Sequence, residues 1–178
     1  MVDIETLDTA PSAAIVAIGA VVFDPRSEGF LDTDLFSVTI DKDSNLFHGR
    51  TVCPKTEDWW SIQSEEARQA VFGGPHTEYS TAIREFVWWV NQQRPCCTTV
   101  WAKDPDFDVQ ILIHACREQN LMWPFKFWSA RSCRTARDLA YPEGDFPLMA
   151  LDGPKHDALT DAKLQVLEIQ HAYHVLGA

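Results

Sequence analysis

Two carboxylates near the start of the chain, Asp3 and Glu5, are spaced so that both can serve one site. They fall in a segment, Val2–Thr6, in which apolar and polar residues alternate as they do in a β-strand. Residues two apart on a strand project from the same face, roughly 6 to 7 Å apart. If helices cover that face, two unpaired buried charges cost several kcal/mol, and a bound divalent cation removes that cost. The alternative is a solvated strand end, which needs no ligand.

A second acidic group lies between a predicted strand and a predicted helix. Asp104, Asp106 and Asp108 occupy alternate positions there. Asp104 and the following Pro105 suit the cap and the first position of a helix. Asp108 comes four residues later and shares a helix face with Ile111, so it is expected to point inward. Asp106 remains a rival to Asp108 as a metal ligand.

The third group surrounds the start of the last predicted helix. On one regular helix His156 and Asp161 would be separated by about 140° and about 7.5 Å, too far apart to share a site. Gly153-Pro154 lies just upstream, so the helix is predicted to begin around Asp157. His156 then lies on the entering loop and can reach over the site that Asp161 faces. The alternative for a lone histidine at this place is a cap or a surface residue.

Strands and helices alternate along the sequence in a way that can bring these three groups together. A meander of three strands is predicted at residues 2–6, 15–23 and 35–40, and further strands are predicted at 97–101 and 125–130. Helices are predicted at 56–72, from 77, from 104, at 132–140 and from 157 to the end. This order predicts an α/β layered fold with a mixed sheet.

Length and composition predict one soluble domain over residues 1–178. Apolar residues make up 46% and charged residues 23%, which is typical of globular domains. No stretch approaches the ~18 apolar residues of a membrane span, and the acidic N-terminus differs from a secretory signal, so a cytoplasmic location is expected. The five cysteines form no CxxC pair, which leaves zinc knuckles and redox motifs without support.

The net charge limits the kind of nucleic-acid contact that this chain can make. Fifteen lysines and arginines face 26 aspartates and glutamates, for a net charge of −11. This balance argues against a long nucleic-acid groove, which usually has a basic surface. It allows an enzyme that holds a few terminal nucleotides through bound divalent cations.

Taken together, the three groups resemble the DEDDh branch of the DnaQ-like 3'-to-5' exonucleases. The matching motifs are Asp3-Ile4-Glu5-Thr6, Phe107-Asp108, and His156 with Ala158, Asp161 and Ala162, in the family's order. Residues 15–24 resemble the family's second strand. Residues 59–68 are similar to a helix in a subset that includes phage exonuclease A and bacterial 3'-to-5' exoribonucleases. The resemblance implies an RNase H-like three-layer fold, with a five-stranded mixed sheet flanked by helices.

The resemblance also implies a mechanism for trimming single-stranded nucleic acid from its 3' end. Two Mg²⁺ or Mn²⁺ ions would be held by the four carboxylates, Asp3, Glu5, Asp108 and Asp161. Asp3 would bridge the two ions, and Asp108 would act mainly through water. His156 would be the general base for the attacking water. Thr6 and Leu7 would contact the terminal nucleotide.

Several alternatives stay open at the level of sequence. RNA and DNA are not separated, because that choice rests on one or two contacts to the 2'-hydroxyl. A catalytically silent nucleic-acid-binding or assembly module on the same fold is the main rival, and an acidic metal-binding interaction protein is another. The pairs Trp59-Trp60 and Trp88-Trp89 favour core or interface packing over base stacking. Any homo-oligomer is expected to be a two-fold dimer.

Overall fold

The computed structural model describes residues 1–31, 34–93 and 96–177. These residues contain five strands and seven helices. The strands are β1 (Val2–Thr6), β2 (Ile15–Val21), β3 (Leu35–Thr39), β4 (Val100–Ala102) and β5 (Ala130–Ser132). The helices are α1 (Lys42–Phe47), α2 (Pro54–Ser61), α3 (Glu65–Phe72), α4 (Tyr79–Gln92), α5 (Asp108–Glu118), α6 (Cys133–Ala140) and α7 (Ala158–Leu176). The chain therefore has the mixed α/β composition that its sequence predicts.

The strands form two sheets. In the first, β2 lies between β1 and β3 and is antiparallel to both, with Asp3 opposite Gly19. In the second, β4 and β5 are parallel, with Val100 opposite Ala130. β4 lies beside β1, but the described residues form no hydrogen-bonded ladder between these two strands. The described strands therefore form sheets of three and two strands in place of the expected single five-stranded sheet, because β4 packs beside β1 without hydrogen-bonding to it.

Helices cover both faces of the three-stranded sheet. Val2 and Ile4 of β1 pack in one cluster with Phe86 of α4 and Leu112 of α5. On the other face α7 crosses β1, β2 and β3, and α6 packs against α7. β2 is buried along its whole length, which explains its continuous apolar sequence. Because side chains alternate between faces, Asp3 and Glu5 point toward α7.

The helical segment predicted at 56–72 is two helices. α2 ends at Ser61, and Ser64 then caps α3 by accepting a hydrogen bond from the N–H of Ala67 at 3.2 Å. The side chain of Ser64 thus begins a second helix. The short helix α1 was not predicted; Asp41 caps it by accepting from the N–H of Ser44 at 2.6 Å.

The helix predicted from Asp104 begins at Asp108. The N–H groups of Phe107 and Asp108 both donate to the carbonyl oxygen of Asp104, which closes a turn in front of α5. The carboxylate of Asp104 does not cap this helix and instead pairs with Arg134 at 2.9 Å. An Asp-Pro pair suits the start of a turn as well as the start of a helix, so the sequence alone misplaced this boundary by one turn. The strands predicted at 97–101 and 125–130 are likewise displaced toward the C-terminus.

The last helix begins where the sequence predicts. Asp157 caps α7 by accepting from the N–H of Thr160 at 2.9 Å, and Gly177 ends the helix in the left-handed conformation. The prediction of a long helix from Asp157 is confirmed, while its final residue, 178, lies outside the described residues. Of the helices in the described ranges, none has both the length and the apolar character needed to cross a membrane.

Candidate active site

β1 supplies the first two carboxylates of the site. Asp3 and Glu5 project from the face that α7 covers, and only 8% of Glu5 is exposed. The position opposite Asp3 on β2 is Gly19. A Cβ on that glycine would lie 2.2 Å from the carbonyl carbon of Ala158, so only glycine lets the start of α7 rest directly on the strand. This close approach brings the first turn of α7 over β1.

The first turn of α7 supplies Asp161. Its N–H bonds to the carbonyl oxygen of the capping residue Asp157 at 2.9 Å, so its place in the helix is fixed by the cap. Candidate ligand atoms of Glu5, His156 and Asp161 all lie within 4.8 Å of one another. Residues more than 150 positions apart in sequence thereby share one small volume.

α5 supplies the fourth carboxylate, Asp108, from the opposite side of β1. Its Oδ1 accepts a hydrogen bond from the N–H of Ile4 at 3.2 Å, on the edge of β1 that does not pair with β2. Only 4% of Asp108 is exposed, because it is the first residue of the buried helix face that continues with Ile111. Asp106 lies in the preceding turn and is exposed. The structure therefore places Asp108, and not Asp106, against β1.

His156 lies on the loop before α7, in a left-handed backbone conformation with φ of 60°. Two tryptophans of α2 contact its ring edge-to-face. The distance between ring centroids is 4.9 Å for Trp59 and 6.1 Å for Trp60. The indole N–H of Trp60 donates to the carbonyl oxygen of Thr6 at 2.9 Å, which anchors this aromatic wall to β1. Left-handed backbone is uncommon for a non-glycine residue and marks a position that its surroundings hold in place.

Comparison of the chain with known proteins identifies its family. Residues 1–172 match the 3'-5' exoribonuclease Rv2179c-like domain. The chain belongs to the Rv2179c-like family. It is also similar to the exodeoxyribonuclease of Enterobacteria phage T4, with 27% identity over 201 aligned positions that cover 97% of this chain and 87% of the phage protein. The protein is accordingly a hydrolase, a 3'-5' exonuclease.

The carboxylates of this Rv2179c-like exonuclease repel one another in a buried setting. Burial, followed by the charges of Asp108 and Asp161, raises the pKa of Asp3 well above its usual range. Burial and the charge of Asp3 do the same to the pKa of Glu5. Burial also raises the pKa of Asp108 to about 7, although its backbone hydrogen bonds oppose the shift. Such a cluster favours a bound positive charge.

The pKa of Asp161 is raised less strongly than burial alone would produce. Burial is the largest cause, and Coulombic interactions with His156 and Lys103 oppose it. The charge of Lys103 also acts on Asp3 in the same direction. Lys103 follows β4 directly and is exposed. Lys103 is therefore an exposed cation whose charge reaches the carboxylates Asp3 and Asp161.

Sequence reasoning missed one residue of this site, Gln165. Its Nε2 donates to Oδ1 of Asp3 at 2.7 Å, and its Oε1 is buried without a hydrogen-bond partner among the described residues. The available signal was spacing, because Gln165 lies four residues after Asp161 and so shares its helix face. Gln165 orients Asp3, and its second polar atom leaves an acceptor beside the carboxylates.

The donor atoms of the site fit a hard divalent cation. Carboxylate oxygens are the ligands that Mg²⁺ and Mn²⁺ prefer, and several of them converge here in a buried place that lacks a matching set of cationic side chains among the described residues. The unpartnered Oε1 of Gln165 is a further polar atom that a hydrated ion can satisfy. Candidate ligand atoms of Glu5, His156 and Asp161 converge, and the other two expected ligands, Asp3 and Asp108, lie next to this group without joining it.

Thr6 and Leu7 follow Glu5 at the border of the site, but little of their surface is exposed there. Leu7 packs in a small cluster with Val16, Trp60 and Val71, and Thr6 donates its hydroxyl hydrogen to the carbonyl oxygen of Asp8 at 2.7 Å. Both residues are buried. Their expected contact with a terminal nucleotide stays a prediction, and it would involve the small surface that they leave exposed.

Proposed function

We propose that the chain is one divalent-metal-dependent 3'-to-5' exonuclease domain with an RNase H-like fold, acting on single-stranded nucleic acid. The observation that carries this proposal is the convergence of Glu5, His156 and Asp161 to within 4.8 Å, next to Asp3 and the buried carboxylate Asp108. A catalytically silent binding module gains nothing from this arrangement, because buried carboxylates repel phosphate unless cations neutralise them.

The carboxylates would hold two Mg²⁺ or Mn²⁺ ions. Asp3, Glu5, Asp108 and Asp161 are the proposed ligands, and Gln165 holds Asp3 through Oδ1 so that its orientation is fixed. When bound, such ions lower the pKa of water and offset the charge that develops on the phosphate. The role of the protein is to fix the position of these oxygens, and the hydrogen bond from Ile4 to Asp108 serves the same purpose.

His156 would accept the proton of the attacking water. An imidazole is suited to this step near neutral pH, and the ring lies beside Glu5 and Asp161. The rings of Trp59 and Trp60 restrict its orientation. We expect the released strand end to be a mononucleotide, since a 3' exonuclease cleaves at the terminal phosphodiester.

RNA and DNA are both candidate substrates. The matched family is described as exoribonucleases, whereas the phage T4 relative is an exodeoxyribonuclease. The assay therefore uses 5'-labelled single-stranded RNA and DNA of the same sequence with Mg²⁺ or Mn²⁺. We expect stepwise shortening from the 3' end that EDTA abolishes, unaffected by a blocked 5' end and prevented by a 3'-phosphate. Internal cuts, or shortening that survives EDTA, would contradict the proposal.

Replacement of His156 tests the general base. We expect His156→Ala to lower turnover by on the order of 100-fold, because the proton of the attacking water loses its acceptor. Calorimetry with Mn²⁺ should show that metal binding persists. His174→Ala, at the exposed end of α7, is the matched control and should keep full turnover. Equal turnover in both variants would remove His156 from the mechanism.

A further inference from the structure

A second surface carries chemistry that the active site does not use. Lys126, Trp128 and Arg131 line a pocket of about 480 Å³ together with Thr98 and Thr99, and we call these five residues the cationic patch. Lys126 and Trp128 belong to the segment between α5 and β5, Arg131 lies in β5, and the two threonines precede β4. The patch thus gathers two cations, an aromatic ring and two hydroxyls on one surface.

The charge of the patch is opposite to that of the protein. The chain has a net charge of −11, yet the described residues that line this pocket include two cations and no carboxylate. Within the described ranges neither Lys126 nor Arg131 lies in a salt bridge, whereas Arg134 and Arg137 are paired with carboxylates. Neither cation is thus neutralised by a carboxylate of the described residues, although Nη1 of Arg131 already donates to the carbonyl oxygens of Trp128 and Ala130.

The aromatic part of the patch is open to solvent. Trp128 is 58% exposed and its neighbour Phe127 is 91% exposed. The Lys126 Nζ lies 5.2 Å from the centroid of the Trp128 ring, so charge and aromatic surface are presented together. Exposed aromatic rings beside cations are the combination with which proteins bind single-stranded nucleic acid, because bases stack on the rings while the cations attract phosphates.

The cationic patch lies at one end of β4, and the active site lies near the other end. Thr98 and Thr99 lie just before β4, and Lys103, whose charge acts on Asp3 and Asp161, lies just after it. β4 has three residues, so its two ends are only about 10 Å apart. A strand whose 3' end occupies the carboxylate site needs only a few further nucleotides to reach the patch.

We propose that the cationic patch is a second binding site for single-stranded nucleic acid, which holds the part of the strand that lies upstream of the 3' end. This rests on the proposed function for its orientation, since the active site receives the 3' end. The cations contact phosphates, Trp128 stacks on a base, and the hydroxyls of Thr98 and Thr99 donate to phosphate or sugar oxygens. Binding here compensates for the repulsion between an acidic protein and a polyanion.

The test compares variants of the patch with a matched control. Lys126→Glu and Trp128→Ala change the patch, and Arg84→Glu makes the same charge change as Lys126→Glu at an exposed position on α4. Fluorescence anisotropy in EDTA measures binding of labelled RNA and DNA of about twelve nucleotides, a typical length for such sites. Thermal unfolding of each variant checks that the fold is intact.

We expect Trp128→Ala to weaken binding of the long strand by about 5-fold or more, the effect of losing one stacked base. Lys126→Glu should weaken it further at low salt and lower the slope of log affinity against log salt by about 0.7 for each lost phosphate contact. Arg84→Glu should keep the wild-type slope. With Mg²⁺, cleavage of a dinucleotide should be the same in all four proteins, while both patch variants process the long strand more slowly.

Different outcomes separate the two proposals. If both patch variants weaken binding of the long strand in EDTA but nothing is cleaved with metal, the proposed function fails and the patch remains a binding site. If cleavage proceeds but both patch variants bind the long strand as Arg84→Glu does, the patch proposal is overturned. It is also overturned if sedimentation shows a dimer that Trp128→Ala dissociates without a change in strand affinity, because the patch is then an interface between copies.

Discussion

Asp106 and Asp108 show how burial distinguishes two carboxylates of identical chemistry. Asp108 bonds to the N–H of Ile4 and is nearly inaccessible, whereas Asp106 lies in an exposed turn. The sequence favoured Asp108 through its helix face but left Asp106 as a rival, because the choice depends on which residue begins α5. The structure supplies that boundary, and with it a choice between the two candidates.

We therefore expect Asp108→Asn to lower exonuclease turnover by at least about 100-fold, since an amide in place of the carboxylate weakens the proposed metal site. Asp106→Asn is the matched control and should stay close to wild type. Turnover on labelled single strands at saturating Mg²⁺ makes the comparison. A loss in Asp106→Asn alone would move the ligand to the exposed turn.

Gln165 was not predicted as a site residue, although Asp3, Glu5, Asp161 and His156 were, because its spacing from Asp161 is a weak signal on its own. The acidic residues and the histidine can be recognised in the sequence because a buried charge or base needs a partner or a ligand. A glutamine on a helix is compatible with solvent, core or site, and only the packing of α7 on β1 decides among them. Its hydrogen bond to Asp3 becomes evident when both elements are in place.

At the scale of elements, α2 forms a wall of the site through its adjacent tryptophans. The sequence favoured core or interface packing for such pairs. Trp60 agrees with this prediction, because it packs in the core with Leu7 and Val71. Trp59 does not, because it is 40% exposed and lies against His156. Adjacent residues on a helix diverge by about 100°, so one ring reaches the core and the other reaches the site.

Trp59 is expected to act as a positioning residue for His156. Trp59→Ala should lower kcat by about 10- to 100-fold, because a displaced base is poorly aligned with its proton. Trp59→Phe keeps a ring in place and should retain most of the activity. Trp88→Ala, an exposed tryptophan on α4, is the control. If the loss appears in KM alone, Trp59 holds substrate and leaves the orientation of His156 unchanged.

The contact between β2 and α7 depends on a single missing side chain. Gly19→Ala would place a Cβ within 2.2 Å of the backbone at Ala158, so the helix must shift. We expect a loss of about 1 to 3 kcal/mol in unfolding free energy together with a large loss of activity. Ser37→Ala, the exposed partner of Gly19 on β3, should change stability by less than about 0.5 kcal/mol. Denaturant unfolding and turnover test both statements, and an active, stable Gly19→Ala protein would contradict them.

The elements themselves were predictable to different degrees. β1 and the capped start of α7 follow from local pattern, because alternation and an Asp N-cap act within a few residues. The break between α2 and α3 and the delayed start of α5 depend on single side-chain caps and turns, whose alternatives differ little in energy. The division into two sheets depends on how β4 approaches β1, which is a property of tertiary packing.

Across the whole molecule, the unneutralised carboxylates link stability to pH. The pKa of Asp108 is raised from its usual 3.8 to about 7, so the folded state binds more protons than the unfolded state between these values. Stability contributed by this group is therefore complete below about pH 4, falls as the pH rises toward about 7, and is then lost. The raised pKa values of Asp3 and Glu5 act in the same direction.

We expect the thermal midpoint of the metal-free protein to fall between about pH 5 and pH 7.5, and less steeply in Asp108→Asn. Mn²⁺ or Mg²⁺ should raise the midpoint at about pH 7.5 and have little effect at about pH 5, where protons occupy the same oxygens. NaCl at matched ionic strength is the control. Calorimetric scans that show the same midpoint at both pH values, with or without metal, would refute this linkage.

The supply of Asp3 by β1 and of Asp161 by α7 has a consequence for biosynthesis. α7 leaves the ribosome well after β1, and it can dock only once β2 and its glycine are in place. A nascent chain consequently holds the first carboxylates without their partners and has no competent site. We therefore expect a nascent chain whose α7 is still inside the ribosome to show no exonuclease activity.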